Sequence, residues 1–304
     1  MNGARPWRVA WTAALYGPDG FYRHDVPADH FRTSAHVGDV LARALLALAR
    51  RHGLREVVDL GAGSGEVLAA LHRLAEPGEL DLVGVDLRGR PAGLPDAVDW
   101  QQELPAVCTG LLLAHEWLDD VPCDVLEVDD DGTAREVLVD AAGHESLGRP
   151  VRSPWADRWW PAAVAGERVE VGSARDEAWA DAVARVSPGG VALAVDYGHL
   201  ADTRPPLGSL RAYRGGREVD VVPDGGRDVT AHVAVDSLAA RVDGRLLRQR
   251  DALLDLGLTG ARPPLDLAHA DPVAYLSALS RASEEAELLA PGGLGDFWWV
   301  LTER

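Results

Sequence analysis

Residues Asp59-Leu-Gly-Ala-Gly-Ser-Gly65 place three glycines at alternate positions directly behind an acid. Gly61, Gly63 and Gly65 let the backbone turn sharply and let a ligand approach it closely. A helix start beyond them favours a carboxylate or a phosphate. Two ligand classes compete for such a loop. A dinucleotide fingerprint, G-x-G-x-x-G, needs glycine at 66, where Glu66 stands, and a negative charge there opposes a pyrophosphate. S-adenosylmethionine (SAM) has no phosphate and carries an ammonium, a carboxylate and a sulfonium. Asp59 suits that cationic ligand, and so does the shorter G-x-G-x-G spacing. A plain structural turn is the third reading. Asp86 ends the next apolar run, 21 residues after Gly65. An acid there can accept both ribose hydroxyls, with Leu87 following it at the same ligand. Asp99 and Trp100 could flank an adenine, Trp100 by stacking and Asp99 by accepting from the amino group. Equally, Trp100 could be a core tryptophan after a strand.

Methyl transfer is an in-line displacement that needs an aligned acceptor lone pair and, often, removal of a proton. Several residues could serve it. Glu116 follows the apolar run 111–115 and would stand at the C-terminal edge of a sheet, where it could hold a cationic acceptor or act as base. It could also merely cap the next turn. His115 is a natural base for a neutral oxygen or nitrogen, or a hydrogen-bonded structural histidine. Asp196 and Tyr197 close another apolar run and could contact acceptor or cofactor, or pack against a neighbouring lobe. His30 and His36 could line the same cleft, while a lone histidine such as His232 is by itself more often a packed one. The histidines match no metal-ligand spacing, so no metal is expected. Asp119 and Asp120, and the run Asp129–Asp131, are acidic clusters that attract a basic peptide or are solvated turns.

The elements that must position these groups follow from periodicity. Residues 37–52 repeat apolar positions at helical spacing and stop at Gly53. Residues 56–60, 80–87, 111–116 and 191–198 read as buried strands, with a helix from the glycine loop to about Pro77. Continuous apolar strands alternating with helices predict a parallel sheet covered on both faces. Residues 123–141 read as a hairpin, 150–185 as a helical insertion, 198–227 as a loop, 229–258 as helical and 296–304 as a closing strand. The expected class is α/β, a Rossmann-like sheet with helices on both faces and an added, partly helical substrate lobe. Its parts are an N-terminal substrate segment over 1–36, the first part of the core over 37–122, the hairpin and helical insertion over 123–187, and the rest of the core over 188–304 with lobe loops at about 198–258.

The chain's 304 residues suit one large domain with an insertion. A net charge of -18 argues against sequence-independent nucleic-acid binding and against an anionic membrane surface. No apolar run approaches the roughly 18 residues of a membrane span. All 30 basic residues are arginine, with no lysine and no isoleucine. That bias points to a GC-rich bacterium and removes every catalytic-lysine mechanism. Cys108 and Cys123 form no disulfide framework and read as core fillers rather than nucleophiles. A cytoplasmic protein is the expectation, and a homodimer is compatible with it.

Several ordered stretches carry a resemblance. They are Tyr16-Gly-Pro-Asp-Gly-Phe-Tyr22 followed by His30-Phe-Arg-Thr33, then Asp59–Gly65, and His115-Glu-Trp-Leu-Asp-Asp-Val-Pro122. Further on come Val195-Asp-Tyr-Gly198, Leu210-Arg-Ala-Tyr-Arg214, Asp228-Val-Thr-Ala-His-Val233 and Gly293-Leu-Gly-Asp-Phe297. Together they resemble the MidA-like SAM-dependent methyltransferases, which include the mitochondrial complex I assembly factor that methylates arginine. The resemblance implies SAM as methyl donor, for some members a protein arginine as acceptor, a place in the substrate channel for His232, and a substrate role for Tyr16, Tyr22, His30, Thr33, His36 and Asp119. Two positions depart from the family pattern: His115 replaces an asparagine and His36 a glutamate. A guanidinium needs carboxylates to orient it, so a small metabolite is the rival acceptor. A catalytically degenerate assembly partner and a nicotinamide oxidoreductase are the remaining alternatives. The intact Asp59 loop with Asp86 opposes the first, and Glu66 opposes the second.

Overall fold

The computed structural model describes residues 3–24 and 37–304, with the backbone alone at His24. The predicted substrate residues His30, Thr33 and His36 lie outside the described residues. The chain divides into two compact units. The core unit gathers Arg32–His115, Arg185–Val195 and Arg245–Arg304. The lobe gathers Met1–Phe31, Glu116–Ala184 and Asp196–Gly244.

The core unit is built on seven strands. Their spatial order is Arg245–Arg248, Trp298–Glu303, Val191–Asp196, Leu111–His115, Glu56–Leu60, Asp81–Val85 and Val98–Gln101. The last five pair in parallel, and the first two are antiparallel to each other. The apolar runs read from sequence are buried on both faces: Leu111–Leu113 and Val191–Val195 have almost no exposed surface. The strand order reverses beside Glu56–Leu60. The chain builds outward through 81–85 and 98–101, then returns to place 111–115 on the other side. Ligands of open α/β sheets bind at the carboxyl ends of the strands beside such a reversal, and the glycine loop leaves Leu60 there. The helix Val40–His52 packs Val40, Leu41, Ala44, Leu45 and Leu48 into the same core as Val57, Leu68 and Leu113. Gly53 ends it in the left-handed conformation, with its N–H bonded back to the last turn.

The lobe has its own core. Trp7, Ala10, Trp11, Ala14 and Leu15 recur at helical spacing on the helix Trp7–Tyr16 and are all buried. Trp7, Ala10, Trp11 and Leu15 pack with Cys123, Val125, Val137, Ala212 and Val229. An antiparallel sheet joins Arg5–Pro6, Ala134–Val139, Asp124–Val128 and Arg168–Val171, with Glu145–Pro150 also on Ala134–Val139. Both cysteines are buried free thiols; burial pushes Cys108 up to about 11 and Cys123 up to about 12.

Three segments differ from the sequence reading. The stretch read as a loop holds Arg211–Arg214 and Arg217–Val219, paired antiparallel around Gly215-Gly216, and Asp228–Thr230 completes that small sheet. Exposed arginines at its edge hid the alternation around buried Ala212. Arg168–Val171, inside the segment read as helical, is a strand on Asp124–Val128. Arg245–Arg248, between two helices, is an edge strand of the core sheet. Its terminal arginines and leucine pair fit a helical pattern equally well, so only pairing with Trp298–Glu303 decides it. Among the described residues no helix is long and apolar enough to cross a membrane.

Candidate active site

In the core unit, Gly61, Gly63 and Gly65 all have positive φ, between 60° and 78°. A β-carbon would be strained at each, which explains the alternate spacing. The N–H groups of Gly61 and Ala62 bond Val85 O at 2.9 and 3.0 Å, tying the loop to the neighbouring strand. Asp59 is 3% exposed. Burial first, then the charges of Glu66 and Asp86, push its carboxyl up to about 7. Asp86 reaches across to the loop: its Oδ2 accepts from Gly63 N at 3.0 Å. Three acids thus converge at the end of the strand Glu56–Leu60, a charge pattern that suits a cation and opposes a pyrophosphate.

Trp100 sits beneath this loop. A β-carbon on Gly84 would lie 2.4 Å from its ring, and one on Gly65 3.5 Å from it. Its indole N–H donates to Arg88 O at 3.0 Å. The side chain therefore fills the space under the loop rather than standing as an open stacking platform. Asp99 is exposed and accepts from the Gln101 side chain at 2.7 Å. Leu87 is exposed.

The lobe assembles a second constellation, of carboxylates and phenols. Asp119 is buried; its Oδ2 accepts from the Tyr197 hydroxyl and from Thr230 Oγ1, the latter at 2.7 Å. The Asp120 carboxylate accepts from Tyr22, whose hydroxyl also contacts Asp228 Oδ1 at 2.9 Å. Tyr16 donates to Asp120 O at 3.0 Å. Burial and these carboxylates raise all three phenols well above the usual range, so they stay neutral donors. Tyr22 has one proton for two carboxylates, so the second contact needs a proton on one of the acids. Burial and Asp119 push Asp228 up to about 7 and raise Asp120 well above the usual carboxylate range, so the pair can share that proton with Asp120 holding it when Asp228 is ionised.

Asp196 has a different task. Its Oδ2 accepts from Leu118 N and Asp119 N at 3.0 and 3.2 Å, and its Oδ1 from Tyr197 N at 2.9 Å. It fixes the turn that carries Asp119. That turn starts at Glu116, whose φ of 50° is unusual for a non-glycine residue and costs of order 1–3 kcal/mol. Arg175, 2% exposed, donates to the carbonyls of Asp119, Val121 and His232 at 2.6, 3.0 and 2.9 Å. It is the buried cation that offsets the acids.

Of the predicted site residues, Tyr16, Tyr22, Asp119, Asp196 and Tyr197 come together, while His232 is exposed with its ring edge-on to Tyr197, centroids 5.0 Å apart. His115 ends the strand Leu111–His115 in the core unit. Asp120, Asp228, Thr230 and Arg175 belong to the constellation but were not among the predicted site residues. Asp120 and Asp228 stand inside the stretches that carry the resemblance. Arg175 carries no such signal. Among the described residues no group of three or more His, Cys, Asp and Glu side chains is arranged to hold a metal ion.

A glycine loop at the reversal of a parallel sheet, ringed by acids, makes the core unit Rossmann-like, with a charge pattern suited to a cationic cofactor. A family model described as "Putative S-adenosyl-L-methionine-dependent methyltransferase" matches residues 72–247, more than half of the chain. The chain belongs to this family and is a SAM-dependent methyltransferase. The match begins beyond the glycine loop and takes in Asp86, Asp119, Asp196 and Asp228. No protein of curated function matches the chain. A Burkholderia thailandensis crystal structure bound to S-adenosyl-homocysteine is 26% identical, covers 99% of this chain and 88% of that one, and superposes with a TM-score of 0.79. A native structure of a protein of the same superfamily from that organism has the same identity and coverage and a TM-score of 0.76.

Proposed function

We propose that the chain methylates a nitrogen of a cationic acceptor, a protein arginine side chain, as a divergent member of the MidA-like branch. The observation that carries this reading is the pair of buried carboxylate oxygens, Oδ1 of Asp119 and Oδ1 of Asp120, that accept no hydrogen bond from the described residues. Leaving a buried charged acceptor unmade costs more than the roughly 1–3 kcal/mol of a neutral one. A guanidinium carries five donors in a planar fork and satisfies such oxygens in pairs. Asp119, Asp120 and Asp228 would hold and orient it, with the neutral phenols of Tyr22 and Tyr197 fixing the carboxylates and that of Tyr16 fixing the Asp120 backbone carbonyl.

Asp59, the glycine loop, Asp86 and Leu87 would hold SAM, which when bound supplies the methyl group. The guanidinium nitrogen loses one proton as it gains the methyl. Asp228, with its carboxyl near 7, lies in a cluster able to take that proton, and the cation of the product stays paired with Asp119 and Asp120. A small-molecule O- or N-acceptor is the second reading. It rests on His115, an imidazole where the family pattern has an amide.

Labelled methyl from SAM, supplied to a cell extract with the enzyme, separates the two. Label in the protein fraction supports an arginine acceptor, and label confined to small molecules overturns it. Asp59 gives a second expectation. A cationic ligand favours its ionised form, so SAM affinity should rise as pH increases through about 7. Asp59→Asn should flatten that dependence. Calorimetry at pH 6 and pH 8 reads both, and an unchanged slope in the variant would remove Asp59 from the cofactor site.

A further inference from the structure

We propose that His199 is a specificity residue of the acceptor site, donating from Nε2 to a main-chain carbonyl of the protein that carries the arginine. Its neighbour fixes its tautomer. Arg204 Nη1 lies 2.7 Å from His199 Nδ1. A guanidinium only donates, so Nδ1 accepts. Burial first, then the Arg204 charge, push the ring down to about 3, so it is neutral and carries its one proton on Nε2. That N–H points away from Arg204. It is buried and has no hydrogen-bond partner among the described residues. An unmatched buried donor is costly, and this one calls for an accepting oxygen.

The surroundings hold the donor still. Arg204 is anchored by Nε to Trp159 O at 3.0 Å, by Nη1 to His199 O at 2.9 Å and by Nη2 to Asp236 Oδ1 at 2.5 Å. Trp160 packs edge-on against the imidazole, with centroids 4.6 Å apart. The short strand Gly198–His199 pairs in parallel with Val233–Ala234. That pairing brings the His232 ring to 6.5 Å from His199, and His232 lies 5.0 Å from the ring of Tyr197, whose hydroxyl donates to Asp119. The row His199, His232, Tyr197 therefore runs from the unmatched donor to the carboxylates of the acceptor site. His232 is its exposed member. The His232 backbone is tied on both sides, N to Ser209 Oγ and O to Arg175 Nη1, each at 2.9 Å. Entry to the row is at the His232 ring, over a fixed backbone. Asp119 and Asp120 offer acceptors and His199 a donor. A guanidinium by itself has nothing for that donor, whereas an arginine within a chain adds carbonyls.

This inference rests on the reading that the lobe takes a protein arginine. The test is an NMR titration of wild type, His199→Phe and Asp119→Ala, with thermal denaturation as the folding control. The probes are N-acetyl-arginine N-methylamide, which has amide carbonyls, butylguanidine, which has the guanidinium and stem without one, and free arginine, which has a carboxylate. His199→Phe keeps a ring against Trp160 and removes the donor. Wild type should bind the diamide about tenfold more tightly than butylguanidine, and His199→Phe should bind the two alike. Isotope-labelled histidine gives a readout in wild type alone: the His199 Nε2–H signal should move with the diamide and stay with butylguanidine. Equal wild-type affinities for the two, with Asp119→Ala weakened toward both, would overturn the role of His199 alone, and so would a signal that moves with neither. Tighter binding of free arginine than of the diamide would overturn the main-chain carbonyl as its partner. No binding of any probe at about 10 mM, or binding unchanged in Asp119→Ala, would overturn the acceptor reading itself, and the inference with it.

Discussion

Asp119→Ala should lower methyl transfer about a hundredfold or more while SAM affinity stays within about twofold of wild type. The size follows from what the carboxylate does. It is buried, its Oδ2 is engaged by Tyr197 and Thr230, and its Oδ1 is left for the acceptor. Removing it takes away an oriented, charge-assisted pair and leaves the Tyr197 and Thr230 hydroxyls to bond each other, 2.6 Å apart. The backbone is spared. Asp119 O still receives Arg175 Nη2, and Asp119 N still donates to Asp196. A loss in transfer with a folded chain and intact cofactor binding is therefore the expected pattern, read by initial rates of label incorporation beside calorimetry. A parallel fall in SAM affinity would move Asp119 out of the acceptor's site. The pH profile of the rate should rise through about 7, where Asp228 becomes able to take a proton.

The second large effect belongs to the cofactor. Asp86→Ala should weaken SAM about a hundredfold. Two hydrogen bonds from ribose hydroxyls to an ionised acceptor are each worth about 1.5–3 kcal/mol net, and about 2.7 kcal/mol in all already gives that factor. Asp86 also accepts from Gly63 N, so its loss loosens the loop. Titration calorimetry reads the change, and an affinity within threefold of wild type would exclude Asp86 from ribose recognition.

The glycine loop was legible in the sequence because strand, turn and helix follow one another within about twenty residues. Their conformational demands are local: positive φ at three alternate glycines and an apolar run on each side. Asp86 was legible for the same reason, as the end of the next run. The acid–phenol constellation was only partly legible. Its partners meet across 98 and 206 residues of chain, as in the contacts of Tyr22 with Asp120 and Asp228. The order of short stretches along the chain flagged those regions, but not which atoms touch. Arg175 was hidden by its setting. The helix Ser173–Val183 reads as a polar surface helix, yet Arg175 and Asp176 on it are buried. No periodicity marks a charge whose partners are backbone carbonyls. Trp100 shows the converse: an aromatic residue at a plausible stacking position whose space is already shared with Gly65 and Gly84.

The central claim is tested most directly by the chemical identity of the labelled product. Protein labelled from methyl-tritiated SAM in a cell extract is hydrolysed to amino acids, with wild-type enzyme and Asp119→Ala run side by side. Label is expected in methylarginine with wild type, with a loss of about a hundredfold in the variant. Label in any other amino acid, or in small molecules alone, would contradict it.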